Sequence, residues 1–380
     1  MSQQRCIFGF GLLLCCWVVS LAQPVPLTPE GWMIPQVGNP FQFPKDHGSH
    51  PRFGIEWWYI TGHLQDTNRT RYGFQATFFR RGIPPSKTHS AATAVFGDQQ
   101  LFLAHMALLE VDTGRFRHQE RLNREGWDAF AAQETLDVRN GNWSLCWTSS
   151  PSSQPELQLK GSIRAEILMD FHLRPMKPLV QFGTNGVSRK AEEPTASSHY
   201  LTFPRLAVSG TLTVEGSPRW VSGEAWMDHE WSSSQLGRGQ VGWDWACLQL
   251  KDGREIMAYR MRREDGTSDP FSTLAWVSQQ GKVRHIGASG FTWKPIGEWV
   301  SPRTGARYPA RVQITTDDPE SGRRQVFLVE PWVANQELVG ALGGIAYWEG
   351  ACRVLDSEGK EVGQAFLEMT GYAESMQGKL

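Results

Sequence analysis

Neither sign of charge dominates this sequence of 380 residues, in which 38 Lys and Arg stand against 39 Asp and Glu for a formal net charge of -1. Without a basic excess there is no electrostatic footprint for nucleic acid, and that class of partner is excluded. Cysteine is scarce. Of six, Cys6, Cys15 and Cys16 fall in the first 22 residues, and the remaining Cys146, Cys247 and Cys352 share no Cys-x-x-Cys spacing. A disulfide framework and a zinc ribbon are therefore both unsupported. One pair plus a free thiol stays open, beside the plainer reading of buried apolar thiols on strands. The Gly-x-Ser-x-Gly elbow, the phosphate-binding Gly-x-x-x-x-Gly-Lys-Ser/Thr loop and the Rossmann glycine fingerprint are also missing, so neither a nucleophilic serine nor a nucleotide cofactor is expected. The 38 Gly and 22 Pro follow no fixed period, which excludes collagen-like and low-complexity chains.

What the sequence does have begins at its N-terminus. The run Ile7 to Ala22 follows a single Arg5 and ends in Ser20-Leu21-Ala22 before Gln23-Pro24. It is too short for a comfortable membrane span and reads as a secretory signal peptide, residues 1–22. The mature chain is then secreted or periplasmic after cleavage near Ala22. A lipoprotein anchor is less favoured, because leucines precede Cys15 where a small residue is wanted.

Helix signals are few beyond that point. Runs such as Trp57 to Gly62, Tyr72 to Phe79, Gly210 to Val214, Ala310 to Ile314 and Gln325 to Val329 are short, rich in aromatic and β-branched residues, and bounded by turn formers. Many short strands predict an all-β sandwich or barrel. Helical turns are expected at Ser86 to Gln100 and at Trp127 to Ala132, and the polar stretch Thr184 to Ser198 reads as a mobile loop.

An internal echo sets the domain count. Gly54-Ile55-Glu56-Trp57 recurs at Gly242-Trp243-Asp244-Trp245, and each copy leads through a polar turn into a strand ending in paired arginines, Arg80-Arg81 and Arg262-Arg263. Such a repeat predicts two tandem domains built alike. With a lead segment over 23–50 and the seam in Ser232 to Gln240, the domains run over 51–235 and 236–380.

Aromatic residues are abundant: 17 Trp, 19 Phe and 7 Tyr. Alternation on a strand places Ile55, Trp57 and Tyr59 on one face and Glu56, Trp58 and Ile60 on the other. Rings on both faces suggest that one side packs a core or a partner barrel while the other walls an apolar pocket. The densest chemistry is Gly223 to Trp231. Here Glu224, Trp226, Asp228 and Glu230 share one face, with Met227, His229 and Trp231 on the other. Two acids so close retain a proton if poorly solvated, and that proton makes a general acid; the alternative is pairing with arginine. No metal site is expected, since His47 and His50 read as solvated loop histidines and His229 points away from its acidic neighbours. His105 reads as a hydrogen-bonded barrel histidine, with a cavity-lining role as the alternative.

Phe53 to Gly62, Glu224 to Trp231, Gly242 to Trp245, Tyr347-Trp348-Glu349-Gly350 and Gly363 to Tyr372, in this order, resemble the AttH-like/carotenoid 1,2-hydratase family from about Arg52 to Tyr372. The resemblance implies two tandem lipocalin-like antiparallel β-barrels. It also implies either of two activities. One is the binding of a hydrophobic small molecule (lipid, isoprenoid or carotenoid), with ABC-transporter components as partners and peripheral membrane contact. The other is cofactor-free hydration of a terminal isoprenoid alkene. Many bacterial members have no established activity, and the binding role is the favoured expectation. For hydration the catalytic candidates are Asp228, His229, Glu230, Trp231 and Tyr259. His229 and Trp231 match the hydratase positions best, whereas Tyr259 is followed by Arg260 and Met261 in place of the Tyr-x-Asp pair expected there. Ring contact from Trp231, Trp243 or Tyr259 is the natural stabiliser of a carbocation. The ligand-binding candidates are Glu56, Trp57, Tyr59, His105, Trp226, Trp243, Asp244, Trp245 and Trp348. Both activities require room for an oily molecule inside the paired barrels.

Overall fold

The computed structural model describes residues 26–38, 40–84, 100–149, 155–342 and 344–378. The signal peptide expected over residues 1–22 and nearly all of the helical turn expected at Ser86 to Gln100 lie outside the described residues; Gln100 itself opens a strand.

The chain forms two large antiparallel sheets, of thirteen and ten strands, and is all-β with a lipocalin-like arrangement. In each sheet the first strand pairs with both the second and the last. Ile55–Asp66 lies between Arg71–Gly82 and Ser217–Ser234, and Gln240–Leu250 lies between Glu255–Arg263 and Glu361–Met369. This pairing curls each sheet around its own core. The last strand of the first sheet ends at Ser234 and the second sheet starts at Gln240.

Strand alternation sorts the side chains into three layers. Trp58, Ile60, Phe74 and Trp143 fill the first sheet's interior, and Trp276, Tyr308 and Trp348 fill the second's. A third cluster, with Tyr59, Tyr200, Trp226, Trp245 and Tyr259, forms where the two sheets meet. Burying each large apolar side chain stabilises the fold by about 1.5–3 kcal/mol. The expectation of room inside the paired barrels is thereby corrected: rings fill both interiors, and the space for a ligand lies between the sheets, walled by the outer faces of both.

Two local expectations need correction. Trp127 to Ala132 is a turn entering the short strand Ala129–Ala131, with Trp127 exposed. Within Thr184 to Ser198, Val187–Arg189 pairs with the strand Ser197–Val214, and Ser188 and Lys190 are buried. Its polar composition reflects long-range partners, not solvent. Cys247 and Cys352 are buried on strands, Cys146 is half-buried on another, and all three are free thiols.

Candidate functional site

Between the sheets lies a cavity of about 290 Å³, at the lower edge of the ~300–1,000 Å³ usual for ligand pockets. Its walls are mostly carbon. Ile55, Trp57 and Tyr59 project from the first strand of one sheet, Trp243 and Trp245 from the first strand of the other, and Phe79, Leu101 and Leu103 extend the surface. The echo in sequence is thus an echo in space: each copy contributes its aromatic residues to one wall.

The polar groups come from the neighbouring strands. Asp228 and Glu230 face the cavity from Ser217–Ser234, Glu368 from Glu361–Met369 and Glu349 from Ala346–Leu355. Asp228 is fully enclosed. Tyr200 donates to its Oδ2 at 2.7 Å, while Thr202 and the Trp226 indole donate to Oδ1 at 2.5 and 2.7 Å. The Tyr200 hydroxyl in turn accepts the Trp245 indole N–H at 3.0 Å. Burial pushes the Asp228 carboxyl up to about 7, against the pull of its three donors and with a further push from Glu230.

Glu230 has a cation beside it. The Lys190 ammonium lies 3.0 Å from Glu230 Oε1, over the rings of Tyr259 at 4.2 Å and Tyr200 at 4.8 Å. Burial alone would lower the lysine, but Glu230 and Tyr259 hold it above its ordinary value. Tyr259 is fixed by Ser188 at 2.9 Å and donates to the Arg189 carbonyl at 3.1 Å. Glu349 and Glu368 lie opposite each other on paired strands. Glu368 accepts the Trp243 indole N–H at 3.0 Å, and burial raises its carboxyl to about 7. Glu349 is pushed well above the carboxylate range, first by burial and then by Glu368. Neither of its oxygens has a hydrogen-bond partner among the described residues. His105 fills both of its expected roles, lining the cavity while bonding Tyr347 at 2.7 Å and Glu120 at 3.2 Å.

Other candidates lie elsewhere. On the opposite face of the same strands, Glu56 Oε1 is shared by His50 Nδ1 at 2.8 Å and His229 Nε2 at 2.9 Å. Its Oε2 accepts from Arg80 at 2.9 Å, Ser49 at 3.0 Å and the His50 amide at 2.8 Å. The His50 ring stacks on Trp231 at 3.8 Å, and His229 stacks on Trp58 at 4.8 Å. Glu56, His229 and Trp231 therefore belong to a buried ionic network on the far side of the sheet, and Trp231 does not face the cavity to stabilise a cation there. His47 and His50 are corrected too: the first is buried and the second largely so. His50, Glu56 and His229 present ligand atoms within 4.8 Å of one another, a grouping that the metal-free reading of loop histidines missed. All three atoms are engaged in the hydrogen bonds just given, and Arg80 already balances Glu56. Asp244 repeats the Glu56 arrangement, pairing with Arg260 at 3.3 Å and Arg262 at 3.1 Å away from the cavity. Trp348 belongs to the second core, donating to the Ala334 carbonyl at 2.7 Å. Trp226 buttresses Asp228 from behind.

Sequence reasoning missed Lys190, Tyr200, Thr202, Glu349 and Glu368. Alternation about Trp348 was enough to find Glu349, since a core-facing Trp348 turns Tyr347 and Glu349 to the other side. No local signal marks Lys190.

The profile of the AttH-like family matches residues 35–372. Among solved structures, a protein assigned to AttH from Nitrosomonas europaea is 31% identical, with 89% of this chain and 98% of that one covered and a TM-score of 0.78. Kievitone hydratase from Nectria haematococca is 18% identical, with 92% and 99% covered and a TM-score of 0.65. CghA in complex with Sch210972 is 13% identical, with 86% and 89% covered and a TM-score of 0.51. At such identities the last two are similar in fold alone. No curated protein matches the chain.

Proposed function

The chain belongs to the AttH-like family, and from that premise we propose that it binds an apolar small molecule of lipid or isoprenoid type in the cavity between its two sheets. The observation that carries this reading is the carbon-lined space walled by Trp57, Tyr59, Trp243 and Trp245. Its aromatic walls suit a hydrocarbon, and a few polar groups remain to orient it. The apolar run Ile7 to Ala22, read as a signal peptide, supports a secreted or periplasmic location, and the family resemblance supports ABC-transporter components as partners. The test is to extract the native protein with organic solvent, identify what is released by mass spectrometry, and titrate the emptied protein while following tryptophan fluorescence. Leu103→Trp, which places a large ring in the cavity, should abolish binding without unfolding the protein. Unchanged affinity in that variant would move the ligand elsewhere.

One observation favours a second reading, hydration of an alkene in the same cavity. Asp228 carries a proton at near-neutral pH and faces carbon, as a general acid for an alkene must. Asp228 would deliver its proton to one alkene carbon, leaving a carbocation at the other beside the rings of Trp245 and Tyr200. Water would then add to the cation, its surplus proton returning to the Asp228 carboxylate. Nothing but water and alkene is consumed. Incubation with an acyclic carotenoid should give a product heavier by one water, absent with Asp228→Asn, and the rate should fall as pH rises through about 7. Bound ligand without product would leave binding alone.

A further inference from the structure

Most polar groups in the cavity are already served. Asp228 has three donors, Glu230 has Lys190, Tyr259 has Ser188 and the Arg189 carbonyl, and Glu368 has the Trp243 indole. Three side chains stand apart: Gln235, whose Nε2 is unpartnered, and the neighbouring pair Glu349 and Tyr59. Both oxygens of Glu349 and the hydroxyl of Tyr59 are buried without a hydrogen-bond partner among the described residues, and both side chains line the cavity. They are also neighbours: the Tyr59 and Tyr347 hydroxyls approach the Glu349 carboxyl closely enough to act on it, but in no geometry that satisfies either of its oxygens or the Tyr59 hydroxyl.

Orphaned polar atoms are costly in a folded interior, and a pure hydrocarbon ligand would seal them off from every partner. An aromatic-walled pocket for hydrocarbon alone needs neither group. On the proposed reading that this cavity holds the ligand, we infer that Glu349 and Tyr59 form a polar subsite for an uncharged oxygen of that ligand, so that the molecule bound is an apolar skeleton bearing a hydroxyl or carbonyl group. The carboxyl proton of Glu349 and the hydroxyl of Tyr59 are both donors, and the ligand oxygen supplies the lone pairs. A carboxylate ligand is disfavoured at this subsite, because Glu349 and Glu368 face each other across the paired strands and Lys190, one of the cations lining the cavity, is already committed to Glu230.

Three probes with one carbon skeleton test the inference: geraniol, the corresponding hydrocarbon 2,6-dimethyl-2,6-octadiene, and geranic acid. Dissociation constants are measured by tryptophan fluorescence at pH 7 on the full mature chain. Geraniol is expected to bind about tenfold more tightly than the hydrocarbon, the effect of one net hydrogen bond, with geranic acid weakest. Glu349→Leu combined with Tyr59→Phe removes both donors and should erase the difference between alcohol and hydrocarbon without weakening the hydrocarbon, whereas Glu349→Gln alone, which keeps both donors, should retain a preference for the alcohol. Equal affinity for alcohol and hydrocarbon in the unaltered protein, or a preference that survives the double variant, overturns the polar subsite while leaving the apolar cavity in place. Failure of all three probes to bind overturns the cavity reading, and the subsite with it.

Discussion

Replacing Asp228 with Asn should make the stability of this protein respond differently to pH. In the folded state burial raises the carboxyl to about 7 from its ordinary value of 3.8, so the folded protein holds a proton that the unfolded chain releases. A raised acid contributes stability at low pH that is lost as pH climbs from the unfolded value through the folded one, because between the two the native state binds more protons. Integrating over those two values gives a loss of about 3 kcal/mol between about pH 5 and pH 8 from this one group. Asn does not titrate. Its amide oxygen can accept from Thr202 and the Trp226 indole as Oδ1 does, while its NH₂ turns toward Tyr200, whose hydroxyl must then become an acceptor. The substitution therefore costs stability at about pH 5, where the protonated acid is well served, and this disadvantage shrinks or reverses by about pH 8. The assay is urea unfolding of both proteins, followed by tryptophan fluorescence across that range. Titrating groups remote from Asp228 are common to both proteins and largely cancel in the difference, whereas Glu368, which the Asp228 charge helps to raise, should titrate lower in the variant. A stability difference that stays constant from pH 5 to pH 8 would refute the assignment of a shared proton to Asp228.

Two further predictions concern the frame around the cavity. Glu56→Gln leaves Arg80 buried without its counter-charge and should cost about 3–5 kcal/mol in urea unfolding. Since Glu56 is held well below its ordinary value of 4.5, despite burial, by His50, His229 and Arg80, that contribution is full above about 4.5 and fades as pH falls through the lower folded value, so the variant and the unaltered protein should converge in strong acid. At Gly223 a Cβ would collide with the backbone carbonyl of His63 on the paired strand, whereas at Gly161 it would meet only the flexible end of Met106. Gly223→Ala should therefore lower the melting temperature by several degrees more than Gly161→Ala, and equal shifts in calorimetry would contradict the close strand approach.

Alternation was legible wherever a strand was legible. The sorting of Ile55, Trp57 and Tyr59 from Glu56, Trp58 and Ile60, and of Asp228 and Glu230 from His229 and Trp231, holds residue by residue because a period of two is a property of the extended backbone. Which face meets solvent, core or cavity was not legible, since that depends on how two sheets come together. Glu56 and Asp244 were grouped with their neighbouring tryptophans as ligand contacts for this reason, yet a carboxylate with arginines on the adjacent strand finds its partner on the inner face, at Arg80 in one sheet and at Arg260 and Arg262 in the other. Lys190 was invisible for the same reason. Its polar surroundings read as a surface loop, and only the approach of Glu230, forty positions on, turns a solvated lysine into a buried one.

The repeat explains why the cavity is symmetric in construction but unequal in chemistry. Each half contributes rings from its first strand, Trp57 and Tyr59 from one and Trp243 and Trp245 from the other, and acids from its last, Asp228 and Glu230 from one and Glu368 from the other. Two walls built by the same rule would present two similar rows of carboxyls to one apolar space, and such rows cannot all ionise there. The halves relieve this differently. The first half folds the segment around Val187–Arg189 over its acids and supplies Lys190, so Glu230 is paired and only Asp228 is left as a proton-holding group. The second half adds a further acid, Glu349, and no described cation beside it, so Glu349 and Glu368 are held toward their acid forms. Transplanting that difference is a direct test: Lys190→Met removes the cation from the first half. It should raise the apparent titration of that wall, seen by NMR of ¹³C-labelled carboxyls, while leaving Glu349 unaffected. If the carboxyls of the first half titrate unchanged in that variant, Lys190 does not set their charge and the asymmetry between the two walls has another origin.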